Sequence, residues 1–418
     1  MDMSGEQVLN TLGVTDGKVL FEILPGWEKS WKGYDGEVFF LQEEFQKKCL
    51  QICSVKEQDI ERILSTVRAI QKNEVLKRFA LHAYYRFAVC PAPEEGLSDS
   101  MSMWPEPEIP GGESALFYHI VFNGAVPDIL NAYRRKGVPE EIITETLHFG
   151  GRWDNVFKRV SAYSLSWSRQ FLKAELFTLG RFQYRIGKNL HIGVLLKNRK
   201  TGHKVMVCGP RRLDTEGLLV IPGMEKETDL YAPFEESASA FRGFPVDPRG
   251  RVILQEHTFL REEWEVMLRN GDLIMDMHIP GGGNMTPALS LESFRRAFDF
   301  LPKIAPDLKR IISSHSWIFY SKYEDLLPEG NMAALMRQGY IHPWTSNGTD
   351  GLSFVFKNHS QYSTWKEFPH DTRLRRAMLS LLENGEVLRR GGFLLCEEDL
   401  PVFGTEYYRM NFDCKKTV

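Results

Sequence analysis

The sequence predicts an α+β chain: a mainly helical N-terminal domain followed by a mixed sheet in which strands and helices alternate. Three observations carry this. The first third holds apolar residues at helical spacing between start and stop signals. Beyond about residue 177 the apolar pattern changes to alternation with period two. The length, 418 residues, exceeds what one hydrophobic core usually organises, while 43% apolar and 26% charged residues are ordinary globular values. Two domains follow, residues 1–150 and 151–418.

Taken in order, Ser54-Val-Lys-Glu57 has the form of a capping box, and Ile60, Ile63, Leu64, Val67 and Ile70 follow at helical spacing, predicting a helix from Val55 to Lys72. A second apolar-rich segment runs from Val75 to Val89. Pro91 to Gly112 is dense in breakers and reads as an exposed connector. Ser114 to Phe122, Asp128 to Lys136 closed by Gly137, and a helix opened by Pro139 and running toward His148 complete the helical domain. Strands are predicted at Arg181 to Ile186, His191 to Leu196 and Lys204 to Cys208. Residues 212–248, rich in Gly, Pro, Glu and Ser with weak periodicity, read as an irregular insertion. Its role, whether lid, dimer contact or filler, stays open. After it the pattern predicts a strand at Val252 to Gln255, a helix at Glu262 to Leu268, a strand at Asp272 to Ile279 and a helix at Leu291 to Leu301. A strand at Lys309 to Tyr320, a short helix at Tyr323 to Leu327, a strand at Gly351 to Phe356, a helix at Asp371 to Asn384 and a strand at Phe393 to Cys396 close the domain.

A formal net charge of -3 leaves no electrostatic footprint for nucleic acid or an anionic membrane. No apolar run approaches the roughly eighteen residues that span a bilayer, and the acidic N-terminus lacks the regions of a secretory signal, so a cytoplasmic location is expected. The six cysteines (Cys49, Cys53, Cys90, Cys208, Cys396, Cys414) form no C-x-x-C pair and read as free thiols. Without export, the glycosylation patterns at Asn284, Asn347 and Asn358 carry no meaning. Cys49 and Cys53 are half a metal site at best, and with no H-E-x-x-H no metal is expected. A serine hydrolase is excluded by the missing G-x-S-x-G, since Gly351-Leu-Ser353 lacks the second glycine.

The informative segment runs from the apolar strand ending at His278 through Ile279 and Pro280 to Gly281, Gly282, Gly283, Asn284 and Met285, shortly before a helix. Glycines admit close approach of an anion to the backbone, and a helix N-terminus adds unpaired N–H groups and a positive dipole end. Two readings stand side by side: a cradle for a pyrophosphate, or a flexible turn after a strand. The spacing fits neither G-x-x-x-x-G-K-[ST] nor G-x-G-x-x-G, which removes P-loop and dinucleotide sites and leaves an acyl-CoA pyrophosphate.

Five short motifs occur together: His278-Ile-Pro280 with the glycine loop, Ser290 to Phe300, His315-Ser316-Trp317, Leu179 to Tyr184, and Asp371 to Ala377 followed by Gly391-Gly-Phe393-Leu. In this order they resemble a bacterial acyltransferase family that joins a helical N-acyltransferase N-terminal domain to a GNAT-like C-terminal domain. The resemblance spans most of the chain. It implies a sheet whose two central parallel strands, ending at His278 and spanning Lys309 to Tyr320, part to admit the pantetheine arm of acetyl-CoA or another acyl-CoA. It further implies that Ile279 and the N–H groups of Gly281 to Met285 hold the cofactor, with the helix from Leu291 pointing its positive end at it. The loop departs from the usual GNAT signature, which begins with Gln or Arg and has alternating glycines.

Acyl transfer to an amine needs a base, an oxyanion donor and an acid for the leaving thiolate. His278 and His315 are candidates for the first two, against the plainer account of strand histidines hydrogen-bonded within the sheet. Tyr320 and Tyr323 stand where such enzymes often place the acid, against simple aromatic packing. Ser316 could bond a pantetheine amide or only the sheet backbone. Arg373, Arg375, Arg376, Arg389 and Arg390 read as a solvated face that could also meet the 3′-phosphate of CoA. The expected function is acyl-CoA-dependent N-acyl transfer, acetyl being the expected group, to a small-molecule or peptide amine. The rivals are a catalytically silent module that keeps the fold and binds CoA or a partner as sensor or scaffold, and an interaction protein whose loop binds nothing.

Overall fold

The computed structural model describes residues 3–32, 34, 36–97, 99–150, 161–189, 192–356 and 359–412. His191, Asn358 and Cys414 lie outside the described residues, as do residues 151–160, which adjoin the domain boundary expected at 150. The chain divides into two compact units, Met1–Leu179 and Gly180–Val418. Among the described residues no helix is long and apolar enough to cross a membrane.

The first unit is helical. Its central helices are α1 (Glu43–Ile52), α2 (Glu57–Gln71), α3 (Glu74–Tyr84), α4 (Phe117–Asn123), α5 (Val126–Arg135) and α6 (Glu140–Gly150). The α2 stripe works as its spacing requires: Ile60, Ile63, Leu64, Val67 and Ile70 are all buried. Its start differs from the expected capping box. Ser54 takes a left-handed φ of 56° and ends α1 instead, with Ser54 N donating to Gln51 O at 3.0 Å and Val55 N to Leu50 O at 3.0 Å. That double bond is a Schellman ending, so the serine closes one helix rather than opening the next. The Pro91 to Gly112 stretch is also less exposed than expected. Met101, Trp104 and Ile109 are buried, and Trp104 stacks on His82 at 5.4 Å.

The second unit is built on a mixed sheet of β1 (Phe182–Lys188), β6 (Leu273–His278), β7 (Ile311–Ser316), β9 (Gly391–Cys396) and β8 (Tyr340–Pro343), adjacent in that order. Only β6 and β7 run parallel; the other pairings are antiparallel. A second antiparallel sheet places β4 (Pro245–Asp247), β3 (Lys204–Cys208), β2 (Gly193–Asn198) and β5 (Trp264–Leu268) side by side. Two expected elements change type. Glu262 to Leu268 is not helical: β5 pairs with β2, Trp264 opposite Asn198, with a bulge between Val266 and Leu268. Gly351 to Phe356 is not a strand, because Gly351 at φ 88° turns the chain into a helical turn, Leu352–Val355. Short strands also run through residues 212–248, where the sequence shows no clear period.

Period-two alternation sorts the main sheet into two faces. Tyr184, Met275, Met277, Ile312 and Phe393 point to one side and are buried there. Helix α7 (Pro287–Ile304) covers that side: Phe294 stacks on Phe182 at 5.5 Å, and Ser293 Oγ accepts from Phe182 N at 3.2 Å and meets Tyr184 Oη at 2.9 Å. The opposite side carries polar groups.

Candidate functional site

Strand register fixes which side chains share the polar face. Gln183 is opposite His278, Arg185 opposite Asp276, and Asp276 opposite Ser313. Continuing outward, His315 is opposite Gly392, and Gly392 opposite His342. One row across the sheet therefore reads Gln183, His278, His315, Gly392, His342. The row beside it begins Arg185, Asp276, Ser313.

The parallel pair parts within this row. β6 and β7 are in register at Met275 with Ile312 and at Asp276 with Ser313. Beyond these, β6 stays paired outward with β1 as far as His278, and β7 with β9 as far as Ser316. Two strands that keep their outer partners while losing each other leave backbone groups facing a gap. His278 and His315 stand on its two lips.

His278 is half-buried, with Nε2 3.5 Å from Asp276 Oδ2. The same carboxylate oxygen accepts from Arg185 Nε at 2.6 Å. Burial pushes the Asp276 carboxyl up, but His278 and Arg185 outweigh it and hold it below the usual carboxylate range. A buried ionised carboxylate thus backs the imidazole. His315 stacks flat on Trp344, ring centroids 4.8 Å apart and planes 8° from parallel. Surrounding protein holds His315 below the ordinary imidazole range although its edge is open to solvent; Asp276 opposes this, while Arg390, His278 and Arg185 add to it. At neutral pH it is a neutral base. His342 is fully buried, its Nδ1 3.0 Å from the Pro343 carbonyl. Its ring lies over Gly392, where a Cβ would come within 2.0 Å of His342 Cε1, so only glycine fits between the two histidines.

The glycine loop leaves β6 beside this row. Gly282 and Gly283 both have positive φ, 82° and 76°. Gly281 has neither positive φ nor a crowded Cβ, so the fold itself does not require glycine there. Among the described residues the N–H groups of Gly281, Gly282, Gly283, Asn284 and Met285 donate to no protein acceptor, and Arg181 Nε donates to Asn284 O at 3.2 Å. Helix α7 begins at Pro287, a turn earlier than expected. Thr286 caps it by accepting from Leu289 N at 3.4 Å, and Pro287 has no N–H. The donors for an anion are therefore mainly those of the loop, less those of the helix.

The remaining sequence candidates are placed as follows. Ile279 is half-buried at the exit of β6. Ser316 Oγ is engaged with Ile318 N at 3.3 Å. Tyr323 is wholly buried in an apolar cluster with Phe356, Met378 and Leu388. Tyr320 packs edge-on against it at 5.5 Å, and burial pushes its phenol up to about 12. Of the arginines, Arg373 and Arg376 are exposed, as a solvated helix face requires, whereas Arg389 bonds Asp214, Arg390 bonds Asp350, and Arg375 bonds Asp371 and the Val355 carbonyl. Asp276, Arg185, His342 and Trp344 were not singled out in the sequence. Asp276 had one available signal, two residues before His278 and so on the same face of the strand. Among the described residues no group of three or more His, Cys, Asp or Glu is arranged to hold a metal.

Residues 176–394 match the GNAT-like C-terminal domain and residues 44–169 the N-acyltransferase N-terminal domain. The chain belongs to this GNAT-like family. Similar solved structures include an acyltransferase in complex with CoA and 10C-teicoplanin, 17% identical, aligned over 94% of this chain and 99% of that chain with a TM-score of 0.57. An acyltransferase bound to decanoyl-CoA and teicoplanin gives the same coverage and identity with a TM-score of 0.56, and an acyltransferase mutant bound to octanoyl-CoA one of 0.55. At this identity the likeness is one of fold. No curated protein sequence matches the chain.

Proposed function

We propose that the chain is an acyl-CoA-dependent N-acyltransferase in which the pantetheine arm enters between β6 and β7. The observation that carries this is the parting of the two strands after Asp276 and Ser313, with a histidine on each lip and the unpaired N–H groups of the glycine loop beside it. In this reading the loop N–H groups of Gly281 to Met285 hold the pyrophosphate, and Ile279 and Ser316 flank the arm. The acceptor amine attacks the thioester carbonyl, a C–N bond forms, and the C–S bond breaks to release CoA. His278, backed by Asp276, takes the amine proton; His315, neutral, lies across the gap as the second polar group. Tyr320 and Tyr323, both buried in one apolar cluster, are the candidates for protonating the thiolate, Tyr323 being the more deeply enclosed.

The acyl group is the finer question. Acetyl is the shortest donor, whereas structures of similar fold hold octanoyl-CoA, decanoyl-CoA with teicoplanin, or CoA with 10C-teicoplanin. We infer a small-molecule amine acceptor, and a cytoplasmic setting, where CoA is supplied and where the five described cysteines, none of them in a disulfide, are at home.

The test is a calorimetric titration with CoA and an acetyl-to-decanoyl series, with Gly282→Asp alongside to place a repelling charge in the loop. CoA binding by the wild type and its loss in the variant is the expected result. No binding by the wild type overturns the reading, and binding without turnover of any amine leaves a CoA-binding module.

A further inference from the structure

Arg181 stands in the turn that enters β1, beside the glycine loop that leaves β6, and takes no part in the chemistry proposed above. It is half-buried, its guanidinium 5.4 Å from the centre of the Phe182 ring. Nε donates to the Asn284 carbonyl at 3.2 Å and Nη2 to the Gly283 carbonyl at 3.4 Å. Gly283 lies against it, where a Cβ would come within 3.7 Å of Nε.

Two independent features give this contact a role beyond closing a turn. The first is orientation. In a trans peptide the C=O and the N–H point in opposite directions, and among the described residues there is no cis bond. With the Gly283 and Asn284 carbonyls directed at the guanidinium, the N–H groups of Asn284 and Met285 are directed away from it. These are two of the loop donors that meet no protein acceptor among the described residues. A cation on the carbonyl side also polarises each peptide group and makes its N–H the stronger donor.

The second is charge. Among the described residues no carboxylate pairs with Arg181, and burial alone pulls its pKa down. Arg296, whose Nη1 comes near the same turn, has Glu292 at 3.8 Å. A guanidinium drawn partly out of water is ordinarily matched by an anion, and two neutral carbonyls supply hydrogen bonds without charge. An anion on the far face of the loop answers both features. The loop's own residues, 279–290, include neither Lys nor Arg.

We propose that Arg181 is the positioning residue of the phosphate site: from behind the loop it holds the Asn284 and Met285 N–H groups toward the pyrophosphate of CoA and adds a positive charge, without touching the phosphates itself. This rests on the acyl-transfer reading above.

The experiment is calorimetry of the full chain at low ionic strength with CoA and with 3′-dephospho-CoA, for the wild type, Arg181→Met and Arg181→Lys. Arg181→Met removes the charge and both hydrogen bonds and should weaken both ligands roughly tenfold or more. Arg181→Lys keeps the charge behind the loop and should lose less than about threefold. Undiminished CoA binding in Arg181→Met, or a lysine variant as weak as the methionine one, overturns the proposal. A loss confined to CoA also overturns it, because it would put the 3′-phosphate at the loop in place of the pyrophosphate. Should Arg181→Met fail to fold, Arg181→Gln, which keeps a donor for the carbonyls, is judged by the same criteria. CoA binding indifferent to residue 181 sinks only the role given to Arg181, whereas a wild type that binds no CoA sinks the transferase reading itself.

Discussion

Lowering the pH from 7.5 to 5 should cost each unit about 2 kcal/mol through one buried histidine. In the first unit His82 is fully enclosed, with Nε2 2.6 Å from the Ile23 carbonyl, and burial pushes its pKa down to about 3. The carbonyl opposes that shift and Arg86 adds to it. In the second unit burial brings His342 to about 4, its bond to the Pro343 carbonyl opposing and His315 adding. An unfolded histidine titrates near ~6.5. The folded value is the lower one, so the stability is complete above the unfolded pKa. It drains as the pH falls below it, because the unfolded chain takes up a proton that the native ring refuses until pH 3 or 4. At pH 5 the distance below the unfolded value is about one and a half units, worth roughly 2 kcal/mol at ~1.4 kcal/mol per unit. The assay is urea unfolding at both pH values for the wild type, His82→Gln and His342→Gln, followed by fluorescence of the adjacent tryptophans, Trp27 and Trp104 or Trp344. Glutamine retains an amide for the carbonyl but does not titrate. Each variant should be less stable at pH 7.5 yet lose about 2 kcal/mol less on acidification of its own unit. Equal acid losses in wild type and variants refute the reasoning.

Three further outcomes bear on the site. His278→Ala should lower the acyl-transfer rate by roughly a hundredfold or more while leaving CoA affinity near that of the wild type, the loss expected when a proton acceptor is removed; an unchanged rate removes His278 from the chemistry. Asp276→Asn should lower kcat by roughly tenfold without weakening CoA, with partial rescue in Asp276→Glu; equal losses in both variants would point to a structural role shared with Arg185. Gly392→Ala drives a methyl into the buried His342 ring and should cost about 1–3 kcal/mol, seen as a fall of several degrees in Tm; an unchanged Tm contradicts the stacking of His342 over Gly392.

Where periodicity could speak, it placed elements well. The five apolar residues of α2 are spaced for one buried stripe, and Asp272 to Ile279 read as a strand because its apolar run is short and ends in Pro and Gly. Its failures share a cause. Ser54 satisfied the local pattern of a cap, but the preceding helix needed a left-handed ending at that residue, and the chain gave it that role. Residues Trp264 to Leu268 are too few to separate period 2 from period 3.6, so pairing with β2 decided their state.

The site divides in the same way. Its two lips were legible because His278 and His315 belong to motifs, but the groups that give those rings their properties were not. Asp276 sits inside an apolar strand and acquires meaning only when Arg185, ninety-one positions earlier, is brought opposite it. His342 and Trp344 reach His315 across β9, and only because residue 392 has no side chain to keep the rings apart. A row of side chains drawn from β1, β6, β7, β9 and β8 is a property of strand order. Strand order is settled with the apolar face that α7 buries, so the polar row on the other face is fixed by the packing of residues that take no part in it.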